Sequence, residues 1–121
     1  MNKMADILNV GFDTALLTTR RASLERAGHR VAQAHDLRQV LAVCERKSLD
    51  VVILCNTLNE SEKMRIADVV RRFCGDAMLL DLHNGSMPDL PYADAHLQAP
   101  DGRPKDLLRA VEALSHKARA V

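Results

Sequence analysis

The sequence predicts an α/β domain in which βα units build a parallel sheet covered on both faces. Three observations lead there. Short apolar runs alternate with amphipathic stretches along the whole chain. One run, Val51–Cys55 (VVILC), is continuously apolar, as a strand buried on both faces must be. The chain has 121 residues, 47% of them hydrophobic, which is enough for one core and too few for two domains, so residues 1–121 read as a single domain.

Taken in order, the first strand is Asp6–Val10 (DILNV). A helix follows from about Thr14 to Ala27, with Leu16, Leu17, Leu24 and Ala27 inward, Arg20, Arg21, Glu25 and Arg26 outward, and Gly28 placed to end it as a C′ residue. Arg30–Ala34 (RVAQA) is the second strand. Leu37, Val40, Leu41 and Cys44 then fall at i, i+3, i+4, i+7, behind the capping pair His35-Asp36. Val51–Cys55 is the third strand and belongs at the centre of the sheet. The stripe Ile66, Val69, Val70 and Phe73 marks the next helix, and Ala77–Leu82 (AMLLDL) the fourth strand. The fourth crossover, His83 to Tyr92, holds Asn84-Gly85 and two prolines, Pro88 and Pro91, so it accommodates a turn and at most a short, distorted helix. Ala95–Gln98 (AHLQ) is the last strand. Leu107, Leu108, Val111 and Leu114 make a final helix with Pro104 in its first turn.

Composition excludes several classes of function. The chain has 17 Lys and Arg against 16 Asp and Glu, giving a net charge of +1 without the basic face that a nucleic-acid backbone requires. No apolar run approaches the ~18 residues of a membrane span, and the first residues lack a cleavable leader, so a cytoplasmic protein is expected. Cys44, Cys55 and Cys74 are an odd number with no CxxC pair, which predicts free thiols. Neither GxGxxG nor GxxxxGK follows any strand, so no nucleotide enzyme is indicated.

In element order and length the chain resembles the receiver domain of two-component response regulators. Ile7-Leu8-Asn9-Val10-Gly11-Phe12-Asp13 is similar to the family's first strand running into its acidic pair. Asp50-Val51-Val52-Ile53-Leu54-Cys55 is similar to the third strand running into the phosphorylated aspartate. Tyr92-Ala93-Asp94-Ala95-His96-Leu97-Gln98-Ala99-Pro100 is similar to the segment around the fifth strand. The resemblance implies a flavodoxin-like, doubly wound five-stranded sheet of order 2-1-3-4-5, with the fourth helix short or distorted. It also implies a cis peptide at Ala99-Pro100, and it places Cys55 at the phosphoacceptor, Gly11 and Phe12 at the acidic pair with Asp13 adjacent, Asp81 at the Ser/Thr, Ala99 at the lysine and His96 at the aromatic switch. Moving the third strand by one residue brings Asn56 to the acceptor, which cannot be phosphorylated either.

A degenerate phosphorylation pocket of this kind implies a pseudo-receiver. The expectation is a signalling domain with no catalysis of its own, which docks to a kinase or effector protein or to a second copy of itself, with output carried by a separate protein because nothing follows Val121. Mg²⁺ is not expected, and Asp13 with Asp81 is the weak remaining cation site, since two carboxylates and waters are the least that such an ion accepts. Cys55 invites a nucleophile or redox reading, but a small buried hydrophobe is the commoner role of a free cysteine, and the neighbours expected, Asp13 and Asp81, disfavour a thiolate. His83 and His96 come close in such a fold, more as surface or half-buried polar groups than as ligands. Arg20, Arg21, Arg26 and Arg30 form a basic patch, and Glu60, Glu62 and Asp68 an acidic one; charged faces are most often simply solvated. The rival readings are a phosphorelay receiver whose acceptor lies elsewhere, and a ligand or redox sensor at the switch point of the sheet.

Overall fold

The structure is a computed structural model and describes residues 4–99 and 104–119. Five strands, β1 (Asp6–Val10), β2 (Arg30–Ala34), β3 (Val51–Leu54), β4 (Met78–His83) and β5 (Ala95–Gln98), pair in parallel in the order β2-β1-β3-β4-β5. Helices α1 (Thr14–Arg26), α2 (Leu37–Arg46), α3 (Glu60–Phe73) and α4 (Pro104–Arg119) cover the two faces. The central place of β3 follows from its four buried residues, which leave no polar face for solvent. Its register, Ile7↔Val51 through Val10↔Leu54 on one side and Val51↔Met78 through Leu54↔Asp81 on the other, brings Gly11, Cys55 and Asp81 to the same edge.

The period of two divides the core. Leu8, Val10, Val52, Leu54 and Leu79 pack under α2 and α3, and Ile7, Val31, Val51, Ile53, Leu80 and Leu82 pack under α1 and α4. The first helix ends with Ala27 as its C-cap and Gly28 at φ +99°, a left-handed conformation that glycine adopts without a Cβ penalty.

Several expectations need correction. The third strand stops at Leu54, so Cys55 begins the loop, and the fourth runs one residue later than expected. Leu37 and Phe73 are exposed, and the buried stripes run instead through Val40, Val43 and Cys44, and through Lys63, Ile66, Ala67 and Val70. Phe73 sits outside because the i+4 step from Val70 falls on Cys74, where the helix ends. Cys44 and Cys74 are not free thiols: they form a disulfide, with Cα atoms 4.8 Å apart. Only Cys55 is free.

The fourth crossover, residues 84–94, contains turns and bends and no helix. Pro88 and Pro91 deny backbone donors to a helical turn there. The Ala99-Pro100 bond lies outside the described residues. No helix among the described residues is long and apolar enough to cross a membrane.

Candidate functional site

The C-terminal edges of β1, β3 and β4 converge on Gly11, Cys55 and Asp81, where a doubly wound sheet reverses its strand order. Gly11 and Cys55 are in such close approach that a Cβ on Gly11 would lie 2.7 Å from that of Cys55. The close packing of these two residues fills the space between the first and third strands. Gly11 N–H donates to Ala34 O at 3.1 Å, and the His35 imidazole donates from Nδ1 to Gly11 O at 3.0 Å.

Cys55 is fully buried. Its sulfur receives Arg20 Nη1 and Thr57 Oγ1, each at 3.2 Å, and its thiol faces Asn56 Oδ1 at 3.6 Å. This corrects two expectations. Arg20 does not point outward with the other arginines of α1, and the neighbour of Cys55 is a guanidinium, not a pair of carboxylates. Arg20 also donates to Asn56 Oδ1 at 2.8 Å, while Asn56 Nδ2 donates to Asn84 Oδ1 at 2.8 Å and Asn84 Nδ2 returns a bond to Asn56 O at 2.9 Å. A chain of polar contacts thus runs from α1 across the end of β3 to the fourth crossover.

Asp81 occupies a different environment. It is fully buried on the α3 side of the sheet, where Lys63, also fully buried, places Nζ 2.6 Å from Asp81 Oδ1, 2.7 Å from Asp89 Oδ2 and 2.5 Å from Leu82 O. An ammonium has three protons to donate, and all three are used. The second oxygen of Asp81 accepts from Leu90 N–H at 2.8 Å. Lys63 reaches this position because α3 starts at a capping box, Asn59 with Glu62, which sets the helix phase so that Lys63 heads the stripe completed by Ile66, Ala67 and Val70. The expected lysine position, Ala99, carries only a backbone bond, from its N–H to His83 O at 2.7 Å.

Asp13 is not at the same place as Asp81 in function or surroundings. It is exposed and caps α1, accepting from Leu16 N–H at 3.1 Å. Phe12 is 53% exposed and, with His35, Leu37 and Ile66, lines a cleft of about 420 Å³. His96 Nε2 lies 2.6 Å from Leu90 O and His83 Nδ1 2.7 Å from Gly85 O; a carbonyl only accepts, so each nitrogen carries a proton. Among the described residues, no group of three or more His, Cys, Asp or Glu side chains is arranged to hold a metal ion. The basic patch is also partly spent: Arg21 pairs with Glu25, and Arg30 forks onto Asp6, whose hydrogen bonds and charge raise the guanidinium pKa further.

Lys63, Asp89, the pairing of Asn84 with Asn56 and the inward turn of Arg20 were not foreseen from the sequence. Two signals pointed to the first of them: a lysine three and seven residues before Ile66 and Val70 lies on the buried stripe, and an aspartate inside the apolar run of β4 needs a cation.

No protein-family model matches the chain, and no curated protein does. Solved structures do. A CheY-like response regulator receiver domain protein from Methanospirillum hungatei superposes with a TM-score of 0.81 at 21% identity, covering 98% of both chains. A chemotaxis response regulator of Vibrio cholerae gives 0.78 at 22%, covering 93% of this chain and 99% of its own. The receiver domain of a sensor histidine kinase from Pseudomonas aeruginosa, solved with a magnesium ion coordinated in its active site cleft, gives 0.76 at 18%, covering 94% and 99%. At these identities the likeness establishes the fold, which is that of response regulator receiver domains.

Proposed function

We propose that this chain is a receiver-like signalling domain that acts by docking to another protein, a kinase, an effector or a second copy of itself, and that it accepts no phosphoryl group and catalyses no reaction. The observation that carries this reading is the buried thiol of Cys55 at the end of β3, where acyl-phosphate formation requires a carboxylate. The remaining groups support it. Mg²⁺ at a phosphoryl-transfer site takes one or two carboxylates together with phosphate oxygens, whereas here Asp13 is committed to a helix cap and Asp81 to an internal ammonium. The donors therefore do not fit the ion. The position expected to carry the lysine is Ala99, and Lys63, buried nearby, is matched by Asp81 and Asp89.

Docking is favoured by what surrounds α3. Phe12 stands on one side of it over the cleft shared with Leu37 and Ile66, and Met64 and Tyr92, 48% and 54% exposed, flank a second groove of about 440 Å³ on the other. Large exposed side chains grouped in this way mark protein-contact surfaces.

The test is an amide-resolved NMR titration with Mg²⁺ and then beryllofluoride, with acetyl phosphate treatment followed by intact mass in parallel. The expected result is no saturable shift at Asp13, Cys55, Asp81 or His96 at millimolar ligand and no phosphoryl mass gain. A phosphorylated species would restore the phosphorelay reading and overturn this one.

A further inference from the structure

At the edge of the sheet opposite the candidate site, the bonded pair Cys44 and Cys74 joins two helix ends. Cys44 lies in the last turn of α2 and Cys74 is the C-cap of α3, 30 residues later. Three cysteines allow one disulfide at a time, and the pairing of these two leaves Cys55 free. Both cysteines are largely buried, at 7% and 8% exposure, at the rim of the core, and they line an open cleft of about 580 Å³ together with Glu45, Arg46, Lys47, Asp50, Phe73 and Asp76. We propose that the Cys44–Cys74 bond is a thiol–disulfide exchange site, reduced in the folded protein by a dithiol protein that docks in this cleft.

The opening of the cleft beside the bond, with Phe73 exposed at its side, is what admits that reaction. Exchange begins with attack of a thiolate on a disulfide sulfur, and it depends on access and on stabilisation of the incoming and departing thiolates. Arg46 and Lys47, two and three residues beyond Cys44, are the cations of a lining that also holds Glu45, Asp50 and Asp76, so a docking reductant meets both signs of charge there. Phe73, 54% exposed, presents an apolar ring beside Cys74 for a protein reductant to cover. Cys55 does not compete, because it is fully buried and held by Arg20 and Thr57 at the other edge.

The step balances as a two-electron exchange. A thiolate of the reductant bonds to one sulfur of the pair and the Cys44–Cys74 bond breaks, leaving the other sulfur as a thiolate that takes a proton. The reductant's second thiolate then attacks its own sulfur in the mixed disulfide and displaces the cysteine of this chain as a thiolate, which takes a proton, so that Cys44 and Cys74 end as two thiols and the reductant as a disulfide. Reduction removes the covalent tie between α2 and α3 at the end remote from Lys63.

The experiment uses the folded chain with thioredoxin, its reductase and NADPH as the probe, and traps thiols with iodoacetamide before peptide mapping. Without reductant, only Cys55 should alkylate, and only after denaturation. After incubation with thioredoxin, two further alkyl groups should appear on Cys44 and Cys74 with no denaturant present. Phe73→Ala should slow reduction by thioredoxin several-fold while leaving the rate with a small phosphine reductant unchanged. If the pair alkylates only once denaturant is added, the bond is a structural staple and the proposal fails. It also fails if all three cysteines alkylate in protein treated with an oxidised dithiol, since the bond then never forms, or if Phe73→Ala leaves the thioredoxin rate unaltered.

Discussion

Lys63 is where the electrostatics of this chain are decided. A lysine ammonium taken fully out of water is tolerated only when its charge and its three donors are matched, and Asp81, Asp89 and Leu82 O supply that match. Removing one partner of a buried pair strands the other. Lys63→Met should therefore lower unfolding free energy by about 3–5 kcal/mol, read by urea denaturation, because Asp81 remains buried without its cation. Adding Asp81→Asn should restore part of that loss, since the amide oxygen can still accept from Leu90 N–H without carrying charge. A loss below about 1 kcal/mol in the single variant would mean that the pair is solvated in solution, as exposed pairs are. The pairing was half legible in the sequence. The stripe position of Lys63 and the lone aspartate in Met78–His83 each announce a buried charge, but only the layer order of the sheet says that the two meet across 18 residues. Arg20 gave less warning: α1 has scattered apolar positions, so its inward and outward sides were poorly separated, and the contact with Cys55 spans 35 residues.

At the scale of elements, α2 and α3 form one packed layer over Leu8, Val10, Val52 and Leu54, closed at the far end by Cys44–Cys74. Closing a loop of about 30 residues removes entropy from the unfolded chain and is worth about 3–4 kcal/mol on the loop-entropy account. The double variant Cys44→Ala/Cys74→Ala should lose about that much in urea denaturation, and its midpoint should no longer respond to added dithiothreitol, whereas the wild type should fall toward it. If reductant leaves the wild-type midpoint where it was, the bond contributes nothing to stability. The elements themselves were legible because strands and helices bury their faces at different periods. Three of the five strand ranges agree with the expected ones, and the other two differ by a residue at their ends. The helix stripes were less exact at the ends of elements, where Leu37 and Phe73 keep the right spacing but reach past the layer they should pack against. The disulfide was not legible at all, since an odd cysteine count without CxxC says nothing about which helix ends the fold brings together.

For the whole molecule, the sheet order and the open fourth crossover were both foreseen, the first from the resemblance to receiver domains and the second from Pro88 and Pro91. What the sequence did not reveal is how that helix-free segment is held. Lys63 binds Asp89, Asp81 binds Leu90 N–H, His96 donates to Leu90 O, and Asp94 accepts from Leu79 N–H at 2.7 Å and from Arg71. Leu90 is fully buried among these tethers, while Met87, three residues earlier, is 76% exposed. The segment should therefore open in two stages with different free energies. In native-state hydrogen exchange, amides of β1, β3 and β4 should exchange only through global unfolding, those of Leu90 and Asp94 at an intermediate level, and those from Asn84 to Met87 fastest. Lys63→Met should bring Leu90 to the level of Met87, because the carboxylate that fixes its N–H loses its own anchor, while the strands lose only the global increment. An equal drop at Leu90 and throughout the sheet would show that the crossover has no independent opening, and that Lys63 stabilises the fold without governing the surface formed by residues 84–94.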